Sequence, residues 1–259
     1  MPNQQWFRYN RFLSELPTPL IERLLPHLNL TELKATSTIL APGEAPKEIF
    51  FPLSCVVSLQ RISLEHQITE ICMVGNEGAV GLLDWLYSGE HERQIAVLHA
   101  GLALRLTVRD LIAHVGDSIE FQRYLLIYQR KVLSYLAEVS FCNQFHSVDQ
   151  RLARWLHGLF HQIAGRELLL TQEQIAHALG VRRESIAVAL GHLERQGLLD
   201  TQRRRIVLLD ETALKQMACT CLSSLWAQDT PVAPLPAGSH ATTPGVPRAS
   251  AIGITRRAS

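Results

Sequence analysis

Hydrophobic positions change their period several times along the chain. In residues 11–34, RFLSELPTPLIERLLPHLNLTELK, leucines recur at helical spacing and are interrupted by prolines, which predicts short helices. From about 38 to 110 the period shortens. ILAPGE, EIFFPLSCVVSLQRIS, ITEICMVG and RQIAVLHAGLALRLT are short apolar runs punctuated by Gly and Pro, the pattern of a β barrel or sandwich. Residues 119–143 then run without Gly or Pro. Phe121, Leu125, Tyr128, Val132, Tyr135, Val139 and Cys142 alternate by four and three residues, a heptad seam that predicts a homodimer interface. A second apolar set, with Leu126, Leu133 and Leu136, is expected to pack on the barrel of the same chain.

Residues 147–163, SVDQRLARWLHGLFHQI, read as another helix with Leu152, Trp155, Leu156 and Leu159 on its apolar face. Thr171 and Gln174 then fit a capping box, opening a helix to Leu179 that buries Ile175, Ala178 and Leu179. Gly180 supplies a turn and Val181 packs inward. A second helix starts at Arg182 or Arg183 and turns Ile186, Leu190 and Leu193 to the core. Its other face carries Arg183, Glu184, Ala187, Val188 and Gly191, and Gly191 is expected to let that face approach a DNA backbone. This is the build of a recognition helix, whose first turn meets base edges in the major groove. Arginine can pair with guanine in bidentate fashion, glutamate can accept from cytosine, and Ala187 and Val188 suit thymine methyls. GLLDTQRRRIVLLD follows as a hairpin with Arg203, Arg204 and Arg205 at or near its tip, a wing suited to phosphates. Thr171, Gln172 and Arg182 are assigned to the same DNA-facing surface.

Charge sharpens this division. Residues 1–149 hold 12 Lys/Arg against 16 Asp/Glu, whereas residues 150–222 hold 10 against 7. A basic second part fits contact with phosphates. The length of 259 residues, 47% of them apolar, can supply two cores. Five scattered cysteines read as reduced thiols, and no run of apolar residues is long enough to span a membrane, so a soluble cytoplasmic protein is expected. Phosphate-binding loops, nucleophile elbows and paired carboxylates are missing, which argues against an enzyme. His157 and His161 are one helical turn apart but lack a third ligand, and Cys219-x-Cys221 is closer than the usual structural zinc pair. No metal is expected. Beyond about Ala227 the chain turns to Pro, Ala, Gly, Ser and Thr, the composition of a disordered tail.

TQEQIAHALGVRRESIAVALGHLERQGLL resembles the helix-turn-helix of the cyclic-AMP receptor/fumarate-nitrate regulator (Crp/Fnr) superfamily. FFPLSCVVSL resembles that superfamily's sensor strands, and CNQFHSVDQRLARWL its junction between dimer helix and DNA-binding domain. The resemblance implies base reading by Arg183 and Glu184 and a phosphate contact from Ser185. A third reader, commonly arginine, is Val188 here. It implies an α+β fold: an N-terminal β-roll (a cyclic-nucleotide-binding-like jelly roll) over 1–118 and a long dimerisation helix over 119–146. A winged helix-turn-helix over 147–222 and a disordered tail over 223–259 complete it. The family's nucleotide pocket needs a Gly-Glu pair and an Arg followed by Ser or Thr. Here Gly81 precedes Leu82 and Arg93 precedes Gln94, so those four residues mark the place of an effector pocket that does not suit a cyclic nucleotide. No cofactor is expected. The expected partners are double-stranded DNA, a second copy of the chain, RNA polymerase and an unidentified small effector. A small-molecule-binding protein whose helix-turn-helix serves protein contacts is the second reading, and salt-dependent DNA binding separates the two.

Overall fold

The computed structural model describes residues 5–65, 67–86, 93–163 and 165–221. The tail expected from 223 lies outside them. Two short helices, α1 (Arg11–Ser14) and α2 (Thr18–Leu24), open the chain. Asn10 caps α1 through its side-chain oxygen, while its amide nitrogen donates to the carbonyls of Pro52 at 3.0 Å and Gly78 at 2.8 Å. One buried side chain thus fixes α1 to two loops of the β-roll.

Seven strands form that roll: β1 (Asn29–Leu33), β2 (Thr38–Leu40), β3 (Glu48–Pro52), β4 (Val56–Ile62), β5 (Ile68–Val74), β6 (Arg93–His99) and β7 (Gly101–Thr107). They make two antiparallel sheets in the orders β1-β7-β3 and β2-β6-β4-β5. Leucine spacing extends the predicted helices to residue 34, but NLTEL is a strand and pairs with β7 from Asn29↔Arg105 to Leu33↔Gly101. Leu30 and Leu33 are three residues apart and so fall on opposite faces of the strand, where Leu33 is buried and Leu30 exposed. Alternation also sorts β3: Phe50 joins Val57, Val74, Ile95 and Val97 in one core, while Ile49 and Phe51 join Phe12, Leu13 and Leu104 in another.

After the short helices α3 (Leu82–Trp85) and α4 (Val108–Leu111), helix α5 spans Ile119–Phe145. Its placement corrects the expected seam. Phe121 and Leu125 are buried in the chain's own core, the Tyr128 hydroxyl accepts from the Ala79 amide at 3.0 Å, Tyr135 packs beside the roll, and Cys142 is buried. Val132 and Val139 lie half-buried along the same side. The stripe assigned to a partner therefore faces the chain itself. Leu126 and Leu133, assigned to the barrel, are instead 65% and 60% exposed, and of that set Leu136 alone packs on the roll. Two stripes of equal period compete for one roll, and the aromatic one wins because its rings fill the gap and its hydroxyls reach backbone groups (Tyr124 donates to the Phe12 carbonyl at 2.9 Å).

Helix α6 (Val148–Gln162) begins two residues later, its cap Ser147 forming a capping box with Gln150. Then come β8 (Glu167–Leu168), α7 (Gln172–Leu179), α8 (Arg183–Arg195), β9 (Leu199–Gln202), β10 (Arg205–Leu208) and α9 (Glu211–Met217). β8, β10 and β9 form a small antiparallel sheet in that order. Leu152, Trp155, Leu156 and Leu159 of α6 anchor the core of this unit, which continues onto Val56 of the roll. Trp155 donates to the Glu70 carboxylate at 2.9 Å, and the Gln162 carboxamide oxygen accepts from the Asn76 amide at 3.2 Å. The C-terminal unit is therefore docked on β5 and the loop that follows it.

Candidate nucleic-acid interface

Helix α7 starts as expected. The Thr171 hydroxyl accepts from the Gln174 amide at 3.1 Å, and the Gln174 side-chain oxygen accepts from the Thr171 amide at 2.9 Å. Its inner face is Ile175, Ala176 and Leu179, with Ala178 half-buried beside them. Gly180 ends the helix at φ 60°, a left-handed conformation that a side chain resists. The Gly180 and Val181 amides close onto the His177 and Ala176 carbonyls at 3.3 and 3.1 Å. The Arg151 guanidinium donates to the Leu179 carbonyl, satisfying a last-turn acceptor that the helix leaves open.

Helix α8 buries Ile186, Ala189, Leu190 and Leu193 and exposes Arg183, Glu184, Ala187 and Val188, the last at 58%. Ser185 lies half-buried between the two faces. Arg182 caps the helix without a side-chain hydrogen bond, and of the first-turn amides that of Ser185 donates to the Arg182 carbonyl at 3.0 Å. His192 Nδ1 sits 2.7 Å from Asp149 Oδ2, holding α8 to the first turn of α6. Glu194 accepts from the Thr201 amide at 3.1 Å, holding α8 to the hairpin. Around Gly191 a Cβ would meet nothing within 4 Å, so no contact inside the chain requires glycine there.

The hairpin turns through Arg203 and Arg204, since Gln202 pairs directly with Arg205. Both tip arginines are exposed, and Arg204 adopts φ 62°. Arg205 differs from them. It sits in β10, with its guanidinium 2.8 Å from Glu167. That hydrogen bond pulls the Glu167 carboxyl below the usual carboxylate range and raises Arg205. Arg205 is therefore engaged within the sheet, and the free charge of the wing is concentrated at its tip. Thr171 and Gln172 are half-buried at the start of α7, with Arg182 and Arg183 exposed at the start of α8.

The four residues marked for an effector pocket fall at the start of α3 and in β6. Gly81 caps α3 at φ 81°, Leu82 is fully buried in the core, and Arg93 lies 2.9 Å from the Asp84 carboxylate, with Gln94 half-buried next to it in β6. An arginine already facing a carboxylate offers little to a phosphate. A cavity of about 290 Å³ lies elsewhere, between Glu70 of β5, Tyr135 and Val139 of α5, Arg151, Arg154 and Trp155 of α6, and the end of α7. Burial raises the Glu70 carboxyl above the usual range, its bonds from Ser58 and Trp155 notwithstanding. A ligand there would touch the roll, the long helix and the C-terminal unit at once.

This exposed helix, its buried back, the preceding capped helix and the basic hairpin define a winged helix-turn-helix. Residues 150–217 match the Crp-like helix-turn-helix domain family. No curated protein matches the chain by sequence. Among solved structures, the chain is similar to the c-di-GMP responsive global regulator CLP of Xanthomonas campestris, at 18% identity and TM-score 0.58, over 75% of this chain and 100% of that one. FixK2 of Bradyrhizobium japonicum gives 17% identity and TM-score 0.60 over 74% and 98%. A CRP-family transcriptional regulator of Thermus thermophilus gives 22% and 0.58 over 73% and 96%. These likenesses place the chain in the fold of those regulators. Residues 150–217 thus carry a Crp-like helix-turn-helix domain, on a fold shared with a CRP-family regulator. No helix among the described residues is long and apolar enough to cross a membrane.

Proposed function

We propose that the chain acts as a homodimeric regulator that reads a two-fold-related DNA site in the cytoplasm. Arg183 and Glu184 read bases, Val188 meets a thymine methyl, and Ser185, Arg203 and Arg204 hold phosphates. The observation that carries this reading is the division of α8, with Ile186 and Leu193 fully buried and Arg183, Glu184 and Val188 turned outward. The dimer forms through the outward stripe of α5, where Ile119, Leu126 and Leu133 recur every seven residues. Reading successive major grooves requires the two α8 helices of such a dimer to stand about 34 Å apart, one helical turn of DNA. Contact with RNA polymerase follows from the regulatory role, and a small effector would act by re-aiming the winged units.

Selection from a randomised duplex library tests the reading. The expected product is an inverted repeat bound less tightly as salt rises. Arg183→Ala should cost about 1–3 kcal/mol and relax the preference at one base pair of each half-site. Removing Arg203 or Arg204 should weaken all sequences alike and lower the salt slope by about one. A folded dimer that selects no sequence would overturn the proposal and return the helix-turn-helix to protein contacts.

A further inference from the structure

Four metal-ligating side chains meet where α5 ends and the segment after α9 returns to it. Cys142 and His146 stand one helical turn apart at the end of α5, and Cys219 and Cys221 follow α9. Cys142 Sγ is 3.3 Å from Cys219 Sγ, and Cys221 Sγ is 3.7 Å from His146 Nδ1. All four ligand atoms lie within 4.8 Å of one another. The three cysteines are buried and form a cluster of their own, apart from the three cores of the fold. Packing alone does not explain this. Small apolar side chains are drawn into a shared core, whereas these thiols meet one another and an imidazole.

We propose that Cys142, His146, Cys219 and Cys221 form a structural zinc site that clamps the C-terminal unit to the end of α5. Three cysteines and one histidine are a closed tetrahedral set for zinc, with no position left for a reacting water. With bonds of about 2.3 Å to sulfur and about 2.0 Å to nitrogen, tetrahedral ligands stand roughly 3.5–3.8 Å apart. The two measured separations fall close to that range. Each thiol gives up its proton to solvent as it binds, so three protons leave per zinc bound.

The surroundings supply a second, independent sign. Three thiolates and one divalent cation leave one negative charge. Arg151 and Arg154 of α6 are 8% and 5% exposed, and the Nε of each is buried without a hydrogen-bond partner among the described residues. Both guanidinium groups lie near Cys142 and Cys219. Buried guanidinium groups beside neutral thiols are costly, and beside a zinc-thiolate centre they are compensated. The clamp closes around the whole winged unit, because its ligands precede α6 and follow α9.

The full-length protein, purified reduced and without chelator, should contain about one zinc per chain. Cobalt in its place should give thiolate-to-cobalt charge transfer in the near ultraviolet and strong tetrahedral bands in the red. Cys221→Ser and His146→Asn should each lose more than about tenfold in zinc affinity, since each removes a direct ligand. His114→Ala is the control, since His27, Asp110 and His114 form a separate, half-exposed group. Wild-type thiols should resist a thiol reagent until a chelator is added. A folded, reduced wild type with freely reacting thiols and no tetrahedral cobalt spectrum would overturn the proposal. So would a Cys142–Cys219 disulfide formed in air by protein that retains no metal, which would make the cluster a redox pair. Neither outcome bears on DNA reading, which uses other residues.

Discussion

Helices α5 and α6 follow one another across the two residues His146 and Ser147, yet they are buried in opposite ways. Of the 27 residues of α5, Phe121, Leu125 and Cys142 alone are buried, and large apolar side chains such as Leu126, Ile127, Leu133 and Phe141 stand exposed. The 15 residues of α6 include eleven buried ones, among them Arg151, Arg154 and His157. Apolar content therefore does not rank the two. α6 is enclosed because the roll packs on one side of it and α7, α8 and α9 on the others. α5 has a partner inside the chain for one of its apolar stripes, and the other stripe stands exposed.

The largest effect should come from removing the side chain that joins α6 to the roll. Trp155→Ala empties a core site and frees the Glu70 carboxylate, and is expected to cost about 3–5 kcal/mol in denaturant unfolding. Two separate transitions with a small total loss would mean that the roll and the winged unit do not share α6. On α5, the double change Leu126→Glu, Leu133→Glu should weaken self-association by about 100-fold or more, roughly 2.7 kcal/mol, with unchanged helicity. Sedimentation at graded concentrations measures this, and an undiminished dimer would move the interface off that stripe.

Smaller effects probe the polar seam of α6. Because burial raises the Glu70 carboxyl, the folded chain holds that proton more tightly than the unfolded chain does. The stabilising contribution is complete below the ordinary carboxylate value and is lost as pH rises through the folded one. Glu70→Gln should flatten the fall in thermal stability that sets in as pH rises above the ordinary carboxylate value, and an unaltered slope would assign that fall to another group. Smallest of all, Gly191→Ala should stabilise the chain by about 1 kcal/mol, since a Cβ there meets open space. Equal DNA affinity in that variant would show that close approach to the backbone is not why glycine stands there.

The winged unit was legible because its signals are local. The Thr171–Gln174 box, the Gly180 turn and the Ile186–Leu190–Leu193 stripe each lie within a few residues, and each is found where spacing places it. α5 was legible as a helix but not in its orientation. Heptad period is identical for both stripes, and the deciding contacts reach across the sequence, Tyr128 to Ala79 and Tyr124 to Phe12. Strand β1 was hidden because Leu30 and Leu33, three residues apart, suit helical spacing. The cysteine cluster was hidden by distance, since Cys142 and Cys219 are 77 positions apart. Its trace in the sequence is a Cys and a His one helical turn apart together with a later Cys-x-Cys, four ligands that only count when added up.

Asp149 and Arg151, near the start of α6, hold α8 and the end of α7, while Gln162, at its other end, holds the Asn76 amide of the roll. Both helices of the winged unit are thus held near one end of a rod that meets the roll at Trp155 and, at its other end, at the loop after β5. A displacement of about 4 Å at that loop tilts a rod roughly 22 Å long by about 10°. The loop at 75–77 therefore has leverage. In the proposed regulator, a shift there little larger than the ~3.4 Å step between base pairs would change the aim of α7 and α8.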